Sequence, residues 1–379
     1  MLTIVIGGGI GGLTTAVALQ RRGLEVRVYE AAPELAPLGK GIWIAPNAMQ
    51  VLERLGLAAA VLEAGWPLAR IELRDRDAGV LHAFDLAAVA ARYGHSIVSI
   101  HRAALQRVLV AALEPGTLRL GMRCVGCAQD DRGIFAAFEG GARVAADILV
   151  GADGLHSVVR NAVVRTARLR YAGQTCYRGV ADLALPDALA RTSWEVWGGD
   201  DRFGFSAIGP RAVYWFAPIT VLAGAAETRP AVAALAHRYA DFPHPIPAIL
   251  AHTPGAEVLR TDLYDLAPIA RWCDGRAALV GDAAHAMTPN LGQGGAQAIE
   301  DAFVLAEVLA RGGAVEAALR VYQRRRMAKV RRIVRRAWQY GKVAHLRPRW
   351  LRRLRNVAMT HSPDWMYDQE TERLYRLAY

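Results

Sequence analysis

The sequence predicts an α/β protein: a discontinuous Rossmann-like dinucleotide-binding domain, an antiparallel-sheet domain inserted into it, and C-terminal helices. Three observations predict this. The first apolar strand runs straight into a glycine-dense turn and a helix. Two later apolar strands end in Gly-Ala-Asp and Gly-Asp, each followed by a helix start. Between them, from Tyr171 to Tyr264, the pattern changes to short alternating strands, proline turns and concentrated aromatics. At 379 residues the chain can bury more than one core.

Taken in order, Met1 to Ile6 form a β-run that enters Gly7-Gly8-Gly9-Ile10-Gly11-Gly12. Gly7 permits the tight turn, Gly9 lets the backbone approach a pyrophosphate, and Gly12 allows close helix–strand packing. The helix that follows, Leu13 to Arg22, stops at Gly23, and a second strand, Glu25 to Tyr29, ends at Glu30. An acid at this offset accepts from a ribose hydroxyl, which favours FAD or NAD over NADP. A helix is expected over Asn47 to Leu55, closed by Gly56, and a hairpin over Ile71 to Phe84, turning at Asp77-Ala78-Gly79. His101 to Leu113 reads as a helix and Leu118 to Val125 as a strand. Ala145 to Val150 is almost wholly apolar, as a strand buried on both faces of a parallel sheet would be. Ala277 to Val280 repeats that character, a helix spans about Gly294 to Leu309, and the remaining chain is helical.

Both buried strands lead to a carboxylate and then a helix N-terminus. Gly151-Ala152-Asp153-Gly154 follows the first, and Gly281-Asp282-Ala283-Ala284-His285 the second. Open α/β sheets bind ligands at such strand ends. Asp282 is placed to accept from a ribityl hydroxyl and Asp153 to order the pyrophosphate side; the alternative is that each caps its own helix.

With these motifs in place, the chain resembles the FAD-dependent aromatic hydroxylase family, the p-hydroxybenzoate hydroxylase-like single-component flavoprotein monooxygenases. The resemblance rests on GxGxxG with Glu30, then GADGxxSxVR, then GDAAHAMxPxxGQGG, co-linear from Met1 to about Arg326. Within that family it is similar to bacterial urate, salicylate and hydroxynicotinate hydroxylases and to plant zeaxanthin epoxidases. The resemblance implies FAD as cofactor, NADH or NADPH as transient reductant, O2 as co-substrate, and oxygen transfer through a flavin C4a-hydroperoxide to an aromatic small molecule. It implies that Gly9, Gly11 and Gly12 lie at the pyrophosphate, with Glu30 on the adenosine ribose and Ala31 beside it. Arg102 would contact the phosphate–ribityl region, Val125 would offer its backbone to adenine, and Asp282 would hold the ribityl chain. Pro289 would lie against the isoalloxazine, while Gly292, Gln293, Gly294, Gly295 and Ala296 would present amides to its N1–C2=O edge. Reduced flavin carries negative charge there, and a helix N-terminus stabilises it. The domains expected are residues 1–69, 97–166 and 269–325 for FAD, 70–96 and 167–268 for substrate, and 326–379 as a basic helical segment.

Substrate contacts are fewer. Arg202 lies on a strand where some family members place a basic residue facing the flavin, an anchor for an acidic or phenolate substrate; otherwise it is an ordinary exposed strand arginine. Of Tyr214 and Trp215 on a neighbouring strand, one faces the pocket and one faces away, and Tyr214 is taken with Arg202 as the catalytic pair. Asn290 departs from the acid that urate hydroxylases carry after the flavin-facing proline, which argues against urate. Lys40, in Leu38-Gly39-Lys40-Gly41, stands where many members have a small residue. His285 reads as structural. The alternatives on this fold are an epoxidase of a conjugated isoprenoid, a reductase, or a non-catalytic flavin-binding protein. Trp194-Glu195-Val196-Trp197 lacks the WxWxIP spacing of the flavin-dependent halogenases.

Charge and cysteine exclude other classes. The formal net charge is +11, but 14 of the 46 Lys and Arg fall between Arg324 and Arg355, where no Asp or Glu occurs. The high pI therefore describes one segment, and without a reader module no nucleic-acid partner is expected. Cys124 and Cys127 form a CxxC with no second ligand pair, so no metal is expected and the thiols read as buried. No stretch reads as a signal peptide or a membrane span, which points to the cytoplasm. Nothing in the sequence fixes an oligomeric state. Val330, Ile333, Val334, Ala337 and Gly341 form one apolar stripe in the basic segment, and Leu346, Trp350, Leu351, Leu354 and Val357 a second. Both are expected to pack on their own protein, with a soluble aromatic substrate. The other reading is a basic amphipathic surface on anionic lipid.

Overall fold

The computed structural model describes residues 1–35, 40–77, 79–131, 133–164, 166–225, 231–377 and 379. Leu38 and Gly39 of the Lys40 segment and Ala78 of the hairpin turn lie outside them. Among the described residues the chain forms a mixed α/β structure around four sheets. The largest core is built on a six-stranded sheet in the order Cys273–Asp274, Ala277–Leu279, Ile148–Gly151, Leu2–Ile6, Glu25–Tyr29 and Leu118–Arg119. It is parallel except for the edge strand Cys273–Asp274. Ile4, Val5, Val28, Leu149, Val150 and Ala278 are completely buried in it, as strands covered on both faces must be. Helices Ile10–Gln20 and Gly294–Ala310 cross on one side of this sheet.

Two expected strands divide. The apolar run at Ala145 to Val150 is two strands: Arg143–Ala146 in a three-stranded antiparallel sheet, and Ile148–Gly151 in the parallel one. Asp147 marks the transfer, where its Oδ2 accepts from the Leu2 backbone N–H at 2.7 Å. Leu118 to Val125 likewise divides into Leu118–Arg119 in the parallel sheet and Cys124–Asp130 in the antiparallel one. The apolar run does not reveal the change of sheet, because Val144, Ala145 and Ala146 are as apolar as the strand that follows although none of them is buried.

The second large unit is a seven-stranded sheet in the order Leu259–Leu266, Leu169–Asp182, Ala212–Thr220, Arg202–Gly209, Thr192–Trp197, Arg70–Asp75 and Gly79–Asp85. All neighbours are antiparallel except Thr192–Trp197 beside Arg70–Asp75. Phe203, Phe205, Val213 and Trp215 fill the side covered by helices Ala231–Arg238 and Ile246–Ala251. Those helices lie inside a region whose sequence reads as wholly antiparallel strands. The opposite side carries Glu195, Trp197, Arg202, Gly204, Ser206, Tyr214, Phe216 and Arg178, which the register places on one face. A short sheet of Gly41–Ile44, Val98–His101 and Trp66–Pro67 sits between the two units.

Beyond Gly313 the chain forms helices Val315–Ala344, Arg349–Thr360 and Asp364–Tyr375. Arg326, at the start of the expected basic segment, lies within the first of them, completely buried. Its guanidinium donates to Asp301 Oδ1 at 2.8 Å, to Gln297 Oε1 at 2.7 Å and to Glu300 Oε2. Lys329 Nζ reaches both Glu300 oxygens at 2.9 and 3.0 Å, and His285 Nε2 bonds Asp301 Oδ2 at 2.5 Å. Burial raises the Asp301 carboxyl, but His285 and Arg326 more than offset this and hold it below its usual range. His285 is thus part of a buried, paired network that pins the basic helix to Gly294–Ala310. Among the described residues no helix is long and apolar enough to cross a membrane.

Candidate active site

The site begins in the glycine turn. Gly7 takes a φ of +108°, a conformation open to glycine. A Cβ on Gly12 would fall 1.9 Å from the Gly7 carbonyl oxygen, so helix and strand meet at a distance only glycine allows. A Cβ on Gly9 would meet no atom within 4 Å, so Gly9 forms the open side of the loop. On Gly11 it would lie 3.3 Å from Ala298 Cβ, which gives that residue to the crossing of the two helices. The first-turn N–H groups of Ile10–Gln20 have no intrahelical acceptors and no side-chain cap, and they are left for an anion.

Glu30 curls over this turn. Its Oε2 accepts from the Gly8 N–H at 2.5 Å and its Oε1 from the Ala32 N–H at 2.9 Å, which fixes the carboxylate beside the loop and Ala31 next to it. Segment 118–125 runs alongside, with Met122 N–H donating to the Glu30 carbonyl at 2.8 Å. Val125 falls at the register shift between Cys124–Asp130 and Gly133–Phe138, unpaired in the ladder and exposed. Its backbone is therefore free for an edge contact. Arg102 is the exposed first residue of helix Arg102–Ala111, and one turn on Gln106 Nε2 donates to the Gly8 carbonyl at 3.1 Å. Gln106 ties this helix to the loop, and the motif reading missed it. Lys40 is engaged elsewhere, donating to Glu257.

Asp153 takes the capping alternative. Its oxygens accept from Ser157 Oγ at 2.5 Å and from the N–H groups of Val158 and Val159 at 2.7 and 3.2 Å. These bonds hold the carboxylate within the turn that packs against Gly7. Asp282 behaves oppositely: it is exposed at the strand end, and among the described residues no side chain pairs with its carboxylate. Pro289 is exposed and opens the turn Pro289–Leu291, and Gly292 follows at φ +61°. Gly294 and Gly295 begin the long helix, where a Cβ on Gly295 would strike Ile42 at 2.9 Å. The Gln293 side chain points inward, accepting from Asn47 and Gln297 at 3.1 and 2.9 Å, and Ala296 is buried. Only backbone amides of Gln293 and Ala296 remain to offer a ligand.

The wall above this loop is the polar face of the seven-stranded sheet. Arg202 is 1% exposed, unlike an ordinary strand arginine. Its Nη1 donates to Glu195 Oε1 at 2.8 Å, its Nη2 to Asn290 Oδ1 at 2.5 Å and its Nε to His345 Nε2 at 2.9 Å. Burial, reinforced by the Arg202 charge, pushes His345 down to about 2. His345 is therefore neutral and accepts at Nε2, with its Nδ1–H 2.8 Å from Thr220 Oγ1 and 3.1 Å from the Asp200 carbonyl. Asn290 also donates to Thr288 Oγ1 and the Ala337 carbonyl, at 2.9 and 2.8 Å, and a Cβ on Gly341 would crowd it at 2.5 Å. The position is shaped for an amide, since a carboxylate there would face the Ala337 carbonyl. Arg202 is a paired charge that ties sheet, loop and helix together, not an exposed strand arginine.

Tyr214 faces the site and Trp215 the apolar core. The Tyr214 ring lies against Gly41, where a Cβ would fall 2.2 Å from its Cγ. Burial pushes its hydroxyl up to about 12, against the pull of Arg178. Arg178 stands opposite Phe216, half-buried, with Nη1 donating to Thr261 Oγ1 at 2.5 Å. Burial disfavours its charge, but Cys176 and Tyr214 more than offset this. Among the described residues no carboxylate pairs with Arg178. The sequence reading passed over it, since an arginine in an alternating strand carries no mark of what it faces.

Burial raises the Cys124 thiol, and Cys127 to about 11, so neither is a thiolate, and among the described residues no cluster of metal ligands occurs. The open Gly9 loop, the unpaired Asp282 and the glycine-led helix at Gly294 fit an FAD laid across the strand ends.

Comparison with known proteins agrees. The family described as FAD binding domain matches residues 1–337. The aurachin C monooxygenase/isomerase of Stigmatella aurantiaca is 38% identical over 343 residues, covering 90% of this chain and 89% of that protein. The 2-heptyl-3-hydroxy-4(1H)-quinolone synthase of Pseudomonas aeruginosa is 33% identical over 379 residues, covering 99% and 98%. The crystal structure of Klebsiella pneumoniae HpxO with FAD and uric acid superposes with a TM-score of 0.91 at 31% identity, covering 99% of this chain and 96% of that one.

Proposed function

The chain belongs to the FAD-dependent aromatic hydroxylase family and is a flavoprotein monooxygenase, and we propose that its substrate is an electron-rich aromatic carrying a ring hydroxyl or oxo oxygen. NADH or NADPH would reduce the flavin and O2 would supply the inserted atom, with FAD providing the redox and oxygen-activating chemistry. The observation that carries the reading is Arg178: a half-buried guanidinium on the site face, bonded to Thr261 and, among the described residues, matched by no carboxylate. An unmatched cation in a water-poor wall favours an oxygen anion or a polarised carbonyl. Arg202, matched by Glu195, adds little net charge to the pocket. Tyr214, its hydroxyl kept protonated by burial, is placed to donate beside Arg178. Phe216 and Pro289 supply apolar contacts that exclude water from the ring.

Substrate-stimulated NAD(P)H oxidation tests this, screened over hydroxy- and oxo-substituted aromatics and their deoxygenated counterparts, with labelled O2. Oxygenated rings should stimulate turnover and carry the label. Arg178→Met should raise KM roughly 10- to 100-fold, the cost of a charge-assisted hydrogen bond, without changing FAD content. Equal stimulation by deoxygenated rings or conjugated alkenes would refute the anchor and favour an epoxidase. Turnover without oxygen would refute the monooxygenase.

A further inference from the structure

The two apolar stripes of the basic segment meet different fates. Val330, Ile333, Val334 and Ala337 are buried against the protein, as expected. The second divides: Leu346 and Leu351 are half-buried, whereas Trp350 is 67% exposed, Leu354 61% and Val357 58%. They lie at i, i+4 and i+7 on helix Arg349–Thr360, along one face. The helix itself is firmly held from its other side. Arg355 is buried there, its Nη2 3.3 Å from Asp75 Oδ2 and its guanidinium 4.6 Å from the Trp197 ring centre. It also donates to the Val343 and Ala344 carbonyls. The apolar face is thus presented by an anchored helix. Lys342, Arg347, Arg349 and Arg353 are exposed around it, and from Ala317 to Pro363 the chain has no acidic residue.

We propose that this helix rests on an anionic lipid surface, with Trp350, Leu354 and Val357 entering the headgroup boundary and Arg349 and Arg353 meeting lipid phosphates. An apolar face on a helix whose own charged positions are cations and never acids is the composition that interfacial helices use. A second copy of the chain would bring these cations together, so charge favours lipid over self-association. The inference stands apart from the identity of the substrate, although a surface-bound enzyme would meet aromatics that partition into lipid.

Flotation of the full-length, FAD-loaded protein tests it, using phosphatidylcholine vesicles with and without about one-third phosphatidylglycerol. The protein should float with the anionic vesicles only, and high salt should release it. Arg349→Gln with Arg353→Gln should lower partitioning roughly thirty-fold, about fivefold per charge. Trp350→Ser, Leu354→Ser and Val357→Ser together should abolish it. All five side chains are exposed, so FAD content and thermal unfolding should match the wild type, and the charge pair alone serves if the apolar triple unfolds. Wild-type protein that ignores anionic vesicles, or binds neutral ones equally, overturns the proposal. So does a concentration-dependent dimer that the apolar triple converts to monomer.

Discussion

Gly9 and Gly12 stand three residues apart in one motif, yet alanine at each should fail differently. At Gly12 the new Cβ would lie 1.9 Å from the Gly7 oxygen, well over 1 Å inside contact distance, with the Ala152 Cβ at 3.2 Å behind it. Neither the strand nor the helix can yield that far without opening the core around Val5 and Leu13, both completely buried. Overpacking of this kind costs about 3 kcal/mol or more. At Gly9 the backbone is φ −77°, ψ −178°, which any residue adopts, and the Cβ meets nothing. The apoprotein should lose only the few tenths to about 1 kcal/mol of an N-cap change. The methyl would, however, occupy the space through which the pyrophosphate approaches, and FAD affinity should fall at least about tenfold, 1.4 kcal/mol. Urea unfolding of the two apoproteins, with flavin fluorescence titration, separates these effects. If Gly9→Ala binds FAD like the wild type, or the two apoproteins lose equal stability, the division of roles is wrong.

Asp282→Ala should weaken FAD binding by about 1.5–3 kcal/mol while leaving apoprotein stability unchanged, because among the described residues no side chain pairs with its carboxylate; fluorescence titration and thermal unfolding check both halves. His345 is held near 2 in the folded state against 6.5 when free, so its contribution is complete above about pH 6.5 and is lost as pH falls. Relative to His345→Gln, the wild type should lose about 2 kcal/mol of unfolding free energy between about pH 6.5 and pH 5, and an equal pH slope in both proteins would count against the buried neutral imidazole. Arg326→Met leaves Glu300 and Asp301 buried without their shared guanidinium and should destabilise the protein by about 3–5 kcal/mol in urea, far more than the exposed Arg332→Met.

The glycine turn, its flanking strand and helix, and the strand ends at Gly151 and Gly281 were legible because local spacing encodes them. Gly12 is glycine because the Gly7 carbonyl lies against it five residues away, and Gly7 because its φ is +108°, although its missing Cβ also makes room for Ala152 from a distant strand end. Where sequence reasoning stopped short, identical residue types served different surroundings. Asp153 and Asp282 share a motif, yet one is spent on Ser157 and two helix N–H groups while the other is left unpaired. The two apolar stripes have the same periodicity, yet only the first is covered throughout.

The sequence by itself determined the cofactor loop, the motif-bearing strand ends and, through them, the family, since each motif depends on residues near one another in the chain. Tertiary structure alone decided which arginine is matched by a carboxylate. Arg202 draws on Glu195, 7 residues away, but also on Asn290 and His345, 88 and 143 residues away, so three elements must dock before its charge is matched. Arg178 looks no different in sequence and ends on the same sheet face without a carboxylate. A guanidinium's role is set by what lies within hydrogen-bond reach after folding, and strand register and domain docking fix that distance.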